Sequence, residues 1–170
     1  MCSFIQKEGL MSSRFRIAIL GGVLVILTAL IGVSAQGADP FTGTWKINLA
    51  KSTYSPGPPP KSSTFKYEPS EGGLKRTQDQ VDAQGQATHT EVLTKFDGKD
   101  YKVQGAATNN TVALKRIDDR TFEATGKTDG KVTTITRVVV SRDGKTMTST
   151  QTGKNAQGQT VNNIMVRDKQ

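Results

Sequence analysis

The chain is predicted to be all-β, an up-and-down antiparallel β-barrel of eight to ten strands behind an N-terminal signal peptide. Three observations predict it. Turn-forming residues recur at hairpin-like intervals after residue 40. The stretches between them are short, rich in Thr, Val, Ile and aromatics, and alternate apolar with polar residues. No sustained apolar stripe of helical spacing follows the leader.

The leader comes first. Ile17 to Val33 runs IAILGGVLVILTALIGV without a charge, with Arg14 and Arg16 just before it and the small residues of Val33-Ser34-Ala35 after it. A basic flank, an apolar run and a small-residue site make a secretory signal over 1–35. Met11 would give it a shorter basic region. The alternative is an uncleaved anchor, since 17 apolar residues is the shortest run that spans a bilayer. Either way the remainder is expected outside the cytoplasm, periplasmic or extracellular. The membrane is then met only through the leader. Cys2, the single cysteine, lies in the leader, so the exported part has no disulfide and no thiolate site.

Residues 36–42 read as a short linker and 43–168 as the barrel. Ten strand candidates follow: 43–49, 62–68, 74–81, 87–96, 99–104, 111–117, 120–127, 131–141, 145–152 and 159–167. Trp45-Lys46-Ile47-Asn48-Leu49, Thr64-Phe65-Lys66-Tyr67-Glu68 and Thr121-Phe122-Glu123-Ala124-Thr125 alternate strictly. Three Asp-Gly-Lys triplets, at Asp97, Asp129 and Asp143, suit type I′ hairpin turns, in which both central residues take positive φ. Asp82-Ala83-Gln84-Gly85-Gln86 and Asn155-Ala156-Gln157-Gly158-Gln159 differ in one residue. Their flanks do not match over a repeat-sized unit, so they read as one good hairpin turn used twice. A flat sheet of this size would leave long exposed edges, and closure removes them. The one long connection, 50–61, carries Pro56 and Pro58-Pro59-Pro60. Prolines cannot donate to a ladder, so this segment is either a stiff flap over a barrel mouth or a cover for a sheet edge.

The charge balance is +8 overall. Without Lys7, Arg14, Arg16 and Glu8 it is 20 basic against 14 acidic residues. The charges are interspersed, as on a solvated exterior. Aromatics make up only 6%, too few for a base-stacking platform, so no nucleic-acid partner is expected.

Gly43-Thr44-Trp45, at the start of the first strand, resembles the Gly-x-Trp signature of lipocalins. Fatty-acid-binding proteins and avidins open their barrels similarly. The resemblance implies a lipocalin-like, calycin-superfamily barrel of a small secreted bacterial protein. It also implies that Trp45 plugs the closed end while an Arg at the end of the last strand, here Arg167, packs over its ring. Such a stacked pair contributes about 0.5–2 kcal/mol. Gly43, Trp45 and Arg167 are thus the expected barrel-closing residues.

A barrel of eight to ten strands is nearly filled by side chains or holds one small ligand. The expected function is to bind or carry a small apolar or amphipathic molecule. Phe65, Tyr67, Phe96, Tyr101 and Phe122 would form the wall, and an inward Arg would hold a carboxylate by paired hydrogen bonds. Arg76, Arg116 and Arg137 lie mid-strand, and Arg116 shares the parity of Val112 and Leu114. Arg76, Gln78 and Gln80 share the face of Leu74, which points to a partly polar cavity. The alternative is a packed, non-catalytic structural or interaction module of the envelope. An envelope enzyme is the third reading, and a weak one. His89 is the single histidine, no Ser sits in a Gly-x-Ser-x-Gly elbow, and the carboxylate pairs fall on turns. No catalytic residue, metal or cofactor is assigned.

Overall fold

The structure is a computed structural model and describes residues 38–155 and 158–170. The leader expected over 1–35 lies outside the described residues. The chain forms β1 (Gly43–Ile47), β2 (Ser62–Ser70), β3 (Gly73–Val81), β4 (Ala87–Lys95), β5 (Tyr101–Lys102), β6 (Asn110–Asp118), β7 (Thr121–Thr128), β8 (Lys131–Val140), β9 (Thr146–Lys154) and β10 (Thr160–Lys169). Each of the ten segments read from alternation overlaps one of these strands.

All pairings are antiparallel, in the order β4-β3-β2-β1-β10-β9-β8-β7-β6-β5. Apart from β1 with β10, every neighbour is the next strand in sequence, as hairpin-length links require. The remaining edges, β4 and β5, meet through one bridge. Glu91 N–H donates to Gln104 O at 3.1 Å and Gln104 N–H to Glu91 O at 2.8 Å. Gly105, at φ +76°, makes this approach possible, because a Cβ there would lie 2.2 Å from the carbonyl oxygen of His89. The barrel is therefore nearly closed.

The hairpin turns refine the turn reading. Only Asp129-Gly130 has positive φ at both residues, 50° and 75°. At the other two triplets Gly98 and Gly144 alone are positive, and the aspartate acts through its side chain. Asp97 Oδ1 accepts from Lys99 N–H and Asp143 Oδ1 from Lys145 N–H, both at 3.0 Å. The twin motifs are closed by matching hydrogen bonds at their ends. Asp82 Oδ1 accepts from Gln86 N–H at 2.8 Å, and Asn155 Oδ1 from Gln159 N–H at 2.9 Å.

One end of the barrel is packed shut. Trp45 and Phe41 are fully buried, and Trp45 Nε1–H donates to Phe41 O at 2.7 Å. Phe41 meets Phe122 edge-on at 4.7 Å, and Phe96 lies 5.8 Å from Phe122. Residues 38–42, expected as a linker, thus supply part of the plug. Gly43 is favoured here by its φ of +125°, and the Lys169 side chain reaches over it, Cε lying 2.8 Å from where a Cβ would stand. That contact corrects the expected partner of Trp45. Trp45 stands opposite Lys169 in the β1–β10 ladder, and the Lys169 ammonium lies 5.1 Å from the indole. Arg167 stands opposite Ile47, one inward position further along, and its guanidinium covers Phe65 at 3.9 Å.

Candidate functional site: a cavity walled by two arginines

Above the plug the barrel is hollow. A cavity of about 600 Å³ is lined by residues of every long strand and by Tyr54, Pro56, Pro58 and Pro60 of the 50–61 segment. That segment is both edge cover and rim. β1 stops at Ile47 while β10 continues to Thr160, which leaves part of the β10 edge without β1. The segment takes up the vacated edge: Thr53 N–H donates to Ile164 O at 2.7 Å, Ile164 N–H to Thr53 O at 2.8 Å, and Asn162 N–H to Ser55 O at 2.7 Å. The prolines follow at once and face the cavity, where a backbone donor is not needed.

Strand alternation places the inward side chains. Phe65 and Tyr67 of β2, Arg76, Gln78 and Gln80 of β3, and Thr90 and Val92 of β4 line one side. Phe122, Thr136, Val138, Ser149, Gln151, Met165 and Arg167 line the other. Arg167 is only 2% exposed. One guanidinium nitrogen donates to Ser149 Oγ at 3.3 Å, another lies 3.9 Å from Met165 Sδ, and Nε has no partner. Burial pushes its pKa below the ordinary arginine value; the nearby Tyr67 and Tyr54 oppose the shift and Arg76 adds to it. The arginine nevertheless stays charged. Arg76 approaches the same phenyl ring, 5.3 Å from the Phe65 centroid. Burial raises the pKa of the nearby Tyr67 phenol, and the charges of Arg76 and Arg167 oppose the shift.

No carboxylate pairs with either arginine among the described residues. The one acid among the lining residues is Asp82, whose side chain is engaged in its own turn. Five buried side-chain polar atoms lack a hydrogen-bond partner among the described residues: Arg76 Nε, Arg167 Nε, Ser63 Oγ, Thr90 Oγ1 and Thr42 Oγ1. The first four belong to residues lining the cavity. Buried polar groups are normally satisfied, so this clustering sets the cavity wall apart from the rest of the described core. Lys61, Lys131 and Lys154 stand exposed on the strand ends at this end of the barrel, against Asp82 and Asp129 in its turns.

The residues expected to bind ligand divide. Phe65, Tyr67, Arg76 and Phe122 line the cavity, and Arg167, expected only to close the barrel, joins them. Arg116 does not. It has the inward parity, but its guanidinium covers Phe96 at 3.9 Å at the plugged end and pairs with Asp39. Tyr101 packs beside the core near the seam, where its hydroxyl donates to Asp97 Oδ2 at 2.9 Å. Arg137 is exposed on the outer face of β8. The register sets Val138, its neighbour in sequence, opposite the buried Ser149. Tyr54 went unnoticed in the sequence because no periodicity orients a loop residue. Ser149, Gln151 and Asn163 went unnoticed because small polar residues in strands read as surface. His89 sits on the outer wall, with Nδ1 2.6 Å from Asp79 Oδ1. Among the described residues no three His, Cys, Asp or Glu side chains gather to hold a metal ion.

Fold and site together define a nearly closed ten-stranded antiparallel barrel with a cationic hollow, consistent with a calycin-like barrel. No protein-family model matches the chain, and no curated protein matches it in sequence.

Proposed function

We propose that this is an exported, lipocalin-like binding protein that holds a small anionic ligand in the barrel. The observation that carries the reading is Arg167: 2% exposed, on the cavity wall, with no carboxylate among the described residues to neutralise it. An uncompensated buried cation costs several kcal/mol, and folds retain one where an anion supplies the balance. The aromatic and aliphatic floor of Phe122, Leu114, Val112 and Val138 suits an apolar part of the ligand, and the exposed lysines steer anions toward the mouth. Binding rather than catalysis is favoured because the arginine wall offers donors without a base, and His89 faces outward. The export half of the proposal rests on the leader over 1–35.

Titration of the full-length chain with anilinonaphthalene sulfonate, an anionic amphiphile, tests the binding half. One saturable site is expected, weakened at least tenfold in Arg167→Gln. An affinity unchanged by that substitution would overturn it.

A further inference from the structure

The arginine wall carries more charge than one simple headgroup can answer. Arg76 and Arg167 come from opposite sides of β2, on β3 and β10, and both reach the ring of Phe65, at 5.3 and 3.9 Å. Each keeps a buried Nε without a partner, and neither guanidinium meets a carboxylate among the described residues, so the wall carries two uncompensated charges. Hydroxyls stand beside them: Ser149 Oγ at 3.3 Å from Arg167, Tyr67 next to Arg76, and Tyr54 near Arg167. Asp82, the acid of the lining, is held at its turn. A singly charged headgroup would neutralise one guanidinium and leave the other without a counter-charge.

The surrounding wall is not that of an acyl-chain pocket. Gln78, Gln80, Thr90, Thr134, Thr136 and Gln151 line it, and the buried hydroxyls of Ser63 and Thr90 are unpaired. Methylene groups packed there would leave those groups unsatisfied, and a site built for hydrogen bonding rejects a ligand that cannot make them.

Resting on the proposed anion-binding function, we infer that the ligand is a small, hydroxyl-bearing dianion with one negative charge for each guanidinium, and not a fatty-acyl carboxylate. Two chemistries supply that charge: a phosphomonoester on a polyol, and a hydroxylated dicarboxylate.

Calorimetric titration of the full-length chain at pH 8 tests this. The probes are glycerol phosphate and malate, each beside its singly charged methyl ester, with octanoate as the apolar monoanion. At least one dianion is expected to bind about ten- to a hundredfold tighter than its ester, the worth of one charge-assisted hydrogen bond. Which dianion wins separates the two chemistries. In Arg76→Gln the preference over the ester falls to near unity while weaker binding persists through Arg167, and Arg76→Lys restores part of it. Arg76 is half-buried, so this variant is expected to fold; an unchanged thermal midpoint checks that. Esters that bind as well as dianions, or octanoate binding tightest, would overturn the dianion inference and leave the anion-binding function standing. If none of the probes binds and anilinonaphthalene sulfonate also fails, both fall.

Discussion

Arg116 and Arg167 make the same contact in two different surroundings. Each sits on an inward strand position and lays its guanidinium over a phenyl ring at 3.9 Å, Phe96 in one case and Phe65 in the other. Arg116 has Asp39 as an ionic partner, and its side chain keeps 29% of its exposure. Arg167 is 2% exposed and has a serine hydroxyl and a thioether instead of a carboxylate. The first is a finished structural pair that helps close the barrel. The second is a desolvated cation with no carboxylate partner among the described residues. Stacking geometry alone does not separate structure from function; charge balance does.

The contrast can be broken at four points, from the largest expected effect to the smallest. Removing the plug should dominate. Trp45→Ala deletes a fully buried indole and its hydrogen bond to Phe41, and urea unfolding should show a loss of about 3–5 kcal/mol. A loss under about 1 kcal/mol would mean that the closed end does not depend on it.

Arg167→Met is the sharper test, because the two sides of the comparison predict opposite signs. A buried charge without a partner is costly, so a methionine of similar length should leave stability unchanged or raise it by about 1–4 kcal/mol while anion binding is lost. Marked destabilisation in the absence of ligand would show that Arg167 is satisfied within the fold, like Arg116.

Asp39→Ala attacks the finished pair. Arg116 is left without its carboxylate in a partly solvated place, and a loss of about 1–2 kcal/mol is expected, with anion affinity unchanged. A drop in affinity would show that the closed end and the cavity are coupled.

The smallest effect lies on the outer wall. The hydrogen bond to Asp79 raises the pKa of the His89 imidazole above its ordinary value, with Glu91 adding and Lys75 opposing. A raised folded-state value stabilises fully below the unfolded value of about 6.5 and is lost as the pH rises through the folded value. Proton NMR of His89 should give a midpoint above that of Asp79→Asn. Equal midpoints would mean that the pair does not form in solution.

Much of the architecture was readable because it is local. Thr121-Phe122-Glu123-Ala124-Thr125 announces a half-buried strand by alternation alone, and Asp129-Gly130 announces its turn because few other residue pairs accept two positive φ angles. The arginines were harder. Arg137 sits in KVTTITRVVV, where Ile135 and Val139 face outward while Val138 and Val140 are buried. With aliphatic residues on both faces, the alternation that orients a strand carries no sign. Arg116 shares the parity of Val112 and Leu114, but parity gives the face and not the height, and its height puts it in the plug. Arg167 was assigned to Trp45 by the resemblance to barrels in which an Arg at the end of the last strand covers the plugging Trp. Two residues separate it from Lys169, and in a ladder that is one inward position, enough to exchange a plug residue for a cavity residue.

By itself, then, the sequence determined what depends on neighbours in the chain: where strands begin and turn, and which segment is too rich in proline to join a ladder. Only the tertiary structure decided that β1 ends early enough for the 50–61 segment to seal β10, which arginine meets an aspartate, and which is buried without one. Those outcomes depend on register between strands more than a hundred residues apart, as Trp45 and Lys169 are. No local preference specifies such a pairing, because it follows from the packing of the whole barrel around its plug.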